Sequence, residues 1–122
     1  MQSNFSQKIA PWVEAELSHA RQRRSARNTQ QEFAHLERAH VLGQDSTYWH
    51  VKVHLRMLSW AVRNHSIKEA LGQVMRIIGA ATMTAPGLVP QGNTGGANVS
   101  AFKKMTIAPE LAAIIQTARS DA

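Results

Sequence analysis

The stretch from Thr29 to Asn64 constrains this chain most. Apolar residues recur there at helical spacing in two runs, separated only by Gly43-Gln44-Asp45-Ser46. Thr29-Gln30-Gln31-Glu32 has the form of a capping box that starts the first run, and Gly43 is placed to end it. The second run starts near Ser46 or Thr47. A connection this short makes the two helices antiparallel neighbours, so side chains on their facing sides must meet.

The same reading extends in both directions. Ala10-Pro11 offers a helix start, with residues 1–8 expected to be loosely ordered, and Ile9, Trp12, Val13, Leu17 and Ala20 recur at helical spacing. Ser66-Ile67-Lys68-Glu69 is a second capping box, followed by Ile67, Leu71, Val74, Ile78 and Ala81 at the same period. Ala108-Pro109-Glu110 opens a last short helix with Leu111, Ile114 and Ile115 facing inward. The expected helices run over about 11–27, 30–42, 47–64, 67–82 and 109–119. Val51, Leu55, Leu58 and Val62 form the expected buried stripe of the third, while Trp49, Val53 and Trp60 widen its apolar surface. Together these give a single all-α domain spanning 1–122: two antiparallel helical hairpins, TPR-like or in a four-helix arrangement, a long Gly-rich loop over 85–107, and a C-terminal capping helix.

Four of the six histidines fall in the central hairpin. His50 and His54 are four apart and share a helix face, and Glu37 and His40 are three apart and do likewise. Carboxylate and imidazole offered together from facing helices is how helical bundles build metal centres. His40, His50, His54 and Glu37 are therefore candidate metal ligands. His35 lies about 140° around the helix from His40 and would have to reach a neighbouring helix, where Glu16 and His19 form a second Glu-x-x-His pair. A core histidine satisfied by its neighbours is the plainer account of His40, which shares a stripe with Phe33 and Leu36.

With no cysteine in the chain, disulfides, thiol nucleophiles and thiolate ligands are excluded. A nitrogen and oxygen ligand set suits zinc, copper, nickel or iron. No Ser-His-Asp arrangement can be argued, so no catalytic residue is assigned and the balance falls against an enzyme. The chain has neither a signal-peptide core nor 18 consecutive apolar residues, which leads to the expectation of a cytoplasmic protein without a membrane partner.

A formal net charge of +6 favours an acidic associate. Only Arg21, Arg23, Arg24 and Arg27 cluster, at a helix end where cations offset the dipole. An acidic protein partner is therefore preferred to nucleic acid, and the excess apolar surface of the third helix, including Trp49 and Trp60, offers a homodimer contact. The composition of 85–100 marks a loop longer than compact domains usually carry. Its Gly92, Asn93, Thr94, Gly95, Gly96 and Asn98 form a candidate ligand or partner loop, or a lid over the histidine hairpin. No strand precedes it and no Gly-Lys-Ser/Thr follows, so a nucleotide loop is not expected.

The blocks His35-Leu36-Glu37-Arg38-Ala39-His40-Val41-Leu42-Gly43-Gln44, His50 to Met57 and Gly92 to Val99 resemble an uncharacterised bacterial family, the domain-of-unknown-function 3703 family. The resemblance runs from Pro11-Trp12 to the last helix. It implies no activity. Leu36-Glu37-Arg38-Ala39-x-x-Leu42 also looks like the second helix of a tetratricopeptide repeat, although the next copy lacks the positions that repeat needs.

Overall fold

The computed structural model describes residues 4–85 and 87–120. It is all-helical: α1 Asn4–Ser25, α2 Thr29–Gly43, α3 Thr47–Arg63, α4 Ile67–Met83 and α5 Pro109–Ser120, with no strand among the described residues. α1 packs on α2 and α3 on α4 as the two hairpins, α2 joins them through α3, and α5 lies against α1 and α2.

α1 begins at Asn4, well before the expected start at Pro11, and Pro11 lies inside it. Of the residues expected to be loosely ordered, 4–8 are helical, and 1–3 lie outside the described residues. Tertiary packing accounts for the extra turns. The Trp49 indole donates to the Ser6 carbonyl over 2.9 Å, the Ser6 and Ser46 hydroxyls are hydrogen-bonded, and Phe5 lies against the core. These contacts hold a segment that proline's missing N–H would otherwise weaken.

Caps set the other starts. Asn28, not Thr29, caps α2 by accepting from the Gln31 amide, which frees Glu32 from the expected capping box. Buried Glu32 instead receives both terminal nitrogens of Arg63 and ties the start of α2 to the end of α3. Ser46 and Ser66 cap α3 and α4 through the amides of Trp49 and Glu69.

The core is made by Ile9, Val13, Leu17, Leu36, Leu42, Trp49, Val53, Met57 and Leu111, from every helix except α4. α3 is turned away from the expected stripe. Trp49, Val53, Met57 and Ala61 are buried, whereas Leu55 and Val62 are exposed. The spacing of four along Trp49, Val53, Met57 and Ala61 buries the largest side chain of the helix, and the face next to it takes His50 and His54 inside. α4 is inverted outright: Gln73 and Ala80 face in, and Ile67, Leu71, Val74, Met75 and Ile78 face out.

Candidate metal centre

Two helices deliver three imidazoles to one place. His40 comes from the last turn of α2, His50 and His54 from successive turns of α3 on one face. The turn between the helices is short enough to bring those faces together. All three rings are buried, and their centroids stand 4.8, 4.6 and 4.9 Å apart, close to an equilateral triangle. One nitrogen from each lies within 4.8 Å of the others.

The surrounding hydrogen bonds fix which nitrogen carries the proton. The Nδ1 of His40 faces the Asn93 carbonyl at 2.6 Å, so it donates. Thr84 spends its only hydroxyl proton on the Ala80 carbonyl, so its oxygen accepts from His50 Nδ1 at 2.7 Å. The amide nitrogen of Gln73 donates to Glu69 and to the Gly95 carbonyl, so its oxygen accepts from His54 Nδ1 at 2.6 Å. In the neutral rings all three Nε2 atoms are then bare lone pairs. Those of His40 and His54 face one another at 3.1 Å.

Neutrality follows from the environment. Burial drives the His50 pKa down to about 3, with the His54 charge adding to the effect, and burial takes His54 to about 4 despite its bond to Gln73. Burial, then repulsion from His54, His50 and Arg76, holds His40 well below its ordinary value against the pull of Asn93. Near neutral pH the cluster presents unprotonated nitrogen donors. Two bare nitrogens 3.1 Å apart repel unless a cation lies between them. A metal about 2.0–2.1 Å from each imidazole at the tetrahedral angle separates them by about 3.3 Å, so the spacing fits a shared ion.

The Gly-rich loop closes over this cluster. A Cβ at Gly95, where φ is +88°, would stand 2.5 Å from His40 Cδ2, so only glycine lets the backbone cross the ring at this height. Buried Asn93 organises the crossing: its side chain accepts from the Gly95 amide and donates to the carbonyls of Ser100 and Lys103. Gln44, at the end of α2, holds the loop from below through Pro90 and Gly92. Beside the histidines opens a cavity of about 330 Å³, walled by Met75, Arg76, Ile78, Met83, Leu88 and Phe102 among others.

The remaining candidates lie elsewhere. Glu37 does not join the cluster: it is half-buried, and burial and then the neighbouring Glu69 raise its pKa. Glu16 and His35 are bonded to each other at 2.7 Å on the α1–α2 face, with Arg38 on the other Glu16 oxygen and His19 stacked on His35. That network is an ion-paired brace between two helices. Within the loop, Gly92, Asn93, Gly95 and Gly96 make contacts, Gly92 with Gln44 and Gly96 packing closely on Phe33. Thr94 Oγ1 lies 4.0 Å from Met105 sulfur.

Gln73, Thr84 and Arg76 were not found from sequence. The signal for Gln73 was a single uncharged polar residue four after Glu69 within an apolar run, which is legible only once the buried face of α4 is known. For Thr84 and Arg76 the sequence held no signal.

Residues 7–115 match the model of a family described as a protein of unknown function, DUF3703. No curated protein and no solved structure matches the chain.

Proposed function

The chain belongs to the DUF3703 family, and from that premise we propose that it is a transition-metal-binding protein in which His40, His50 and His54 hold one divalent ion. The observation that carries this reading is the meeting of three buried imidazoles, one nitrogen of each within 4.8 Å of the others, with the bare Nε2 atoms of His40 and His54 3.1 Å apart and every Nδ1 anchored to a fixed acceptor. Anchoring of that kind orients metal-bound imidazoles and fixes their tautomer. A lone core histidine needs one partner, whereas the bare Nε2 atoms of His40 and His54 face one another at 3.1 Å and repel unless a cation lies between them.

Three nitrogen ligands suit zinc, copper(II), nickel and iron(II). Three protein ligands beside a cavity leave a coordination position for an exchangeable ligand, as in catalytic rather than closed structural sites. Sensing, buffering and delivery of the metal all use such a position.

The test is metal content and titration. Tag-free protein is expected to bind one equivalent of zinc, copper, nickel or iron(II), and His50→Ala/His54→Ala to bind none while keeping its helical circular dichroism. Absence of stoichiometric metal, or equal binding by the double variant, would sink the proposal.

A second reading, an interaction module, is favoured by α4. Ile67, Leu71 and Ile78 are 75%, 65% and 62% exposed along one helix face, an apolar stripe suited to a protein partner or a second copy. It replaces the Trp49 and Trp60 surface expected for a dimer, since Trp49 is buried and Trp60 packs on Phe33. Light scattering across concentration tests self-association.

A further inference from the structure

Arg76 is the residue that the metal reading leaves unexplained. It lines the same cavity as the three histidines, and its positive charge lowers the pKa of His40 and His54. Its terminal nitrogens donate to the carbonyls of Gly72 and Val99, and its Nε is buried with no hydrogen-bond partner among the described residues. No salt bridge to it is formed among the described residues. A guanidinium beside a metal cation is electrostatically unfavourable by itself. An anion shared by both removes the conflict.

The carboxylate of Glu69, on the same helix, does not serve as that anion. It is engaged by the Gln73 amide and the Ala97 amide and is not part of the cavity wall. The counter-charge must therefore enter from solution. The walls describe the rest of it: Met75, Ile78, Met83, Leu88, Val89 and Phe102 are apolar. Of these, Phe102, Met75 and Leu88 are largely exposed and so form the rim. About 330 Å³ lies at the small end of ligand cavities, which span roughly 300–1,000 Å³.

We propose that this cavity binds a small organic monocarboxylate with an apolar body, its carboxylate held between the histidine-bound metal and Arg76. The inference rests on the metal reading and names the ligand class of that same site. A carboxylate matches both the planar donor fork of arginine and an open metal position. Phosphate or sulfate would leave oxygens against methionine and phenylalanine without donors, and a neutral apolar ligand would leave Arg76 unpaired. An alkyl or aryl tail fits the walls that these alternatives leave unused.

The experiment uses cobalt(II)-loaded full chain, whose visible bands report the coordination sphere. Hexanoate is expected to shift the bands saturably and to bind at least about tenfold tighter than acetate, because buried methylenes add affinity. Neither 1-hexanol nor inorganic phosphate should shift them. Arg76→Met should retain the cobalt bands and lose at least about tenfold in hexanoate affinity, and the surface change Phe102→Ser should weaken hexanoate but not acetate. If Arg76→Met misfolds, the ligand series and Phe102→Ser decide. Equal binding of hexanoate and acetate, tighter binding of phosphate, or indifference to both substitutions would overturn the inference while leaving the metal site standing. Failure to take up cobalt, zinc, copper, nickel or iron(II) would instead overturn the metal reading, and the carboxylate site with it.

Discussion

The α1–α2 hairpin with α5 and the α3–α4 side with its loop are built on opposite terms. On the first, Ile9, Val13, Leu17, Leu36, Leu42 and Leu111 fill a dry interior, and ionic groups such as Glu16, Arg38 and Glu110 pair at its edge. On the second, Trp49, Val53 and Met57 complete that core, but another side of α3 buries His50 and His54 with Gln73, Thr84, Asn93 and, from α2, His40, next to a cavity, while Ile67, Leu71 and Ile78 of α4 face outward. Burying polar groups is favourable only when each is bonded, and here each Nδ1 and each amide has its partner. One half of the molecule supplies cohesion, and the other spends its interior on a preorganised set of nitrogen donors.

The contrast can be broken most forcefully on the cohesive side. Leu17→Ala is expected to lower stability by about 2–5 kcal/mol, seen as a lower urea midpoint, with metal stoichiometry intact in the folded fraction. If metal affinity fell in step at full folding, the two halves would not be separable in this way.

Gly95→Ala has a smaller expected cost, about 1–3 kcal/mol for the left-handed backbone, but it acts on the other half. Its Cβ meets the His40 ring, so metal affinity should drop along with the urea midpoint. Unchanged affinity would mean that the loop does not set the position of His40.

Acid gives a third contrast. His50 and His54 titrate in the folded protein at about 3 and 4, below the ordinary histidine value. Between about pH 6.5 and those values the unfolded chain binds more protons. Metal-free protein therefore has its full histidine contribution above about pH 6.5 and loses stability as pH falls through that window. Each histidine contributes a slope of up to about 1.4 kcal/mol per pH unit. Urea midpoints measured across this range should flatten in His50→Gln/His54→Gln; an equally steep profile in that variant would assign acid sensitivity elsewhere.

The smallest effect belongs to the outer face of α4. Ile67→Gln is expected to change monomer stability by less than about 0.5 kcal/mol, as for an exposed position. A loss well above that, growing with protein concentration, would reveal that this face is covered in solution.

Much of the helical order is legible in the sequence. The helix ends at Ser46, Ser66 and Pro109, the two hairpins and the His50/His54 pair follow from caps and periodicity that act within a few residues. The start of α1 was not legible, because Ser6 and Phe5 are helical through contacts with Trp49 and Ser46, some forty residues away. The faces of α3 and α4 were misread because periodicity finds an apolar stripe without saying what lies opposite. Leu55, Val62 and Leu71 fit a helical period as well as Val53 and Met57 do.

Sequence alone determined that the chain is helical, that thiolate chemistry is absent, and that His40, His50, His54 and Glu37 are the candidate ligands; these rest on local spacing and residue type. Tertiary structure decided that Glu37 stays out and that Gln73, Thr84 and the Asn93 carbonyl anchor the rings. It also decided that Arg76 shares their cavity. Those outcomes depend on the rotation of α4 about its axis and the path of the loop over His40, which are set by packing between segments distant in the chain.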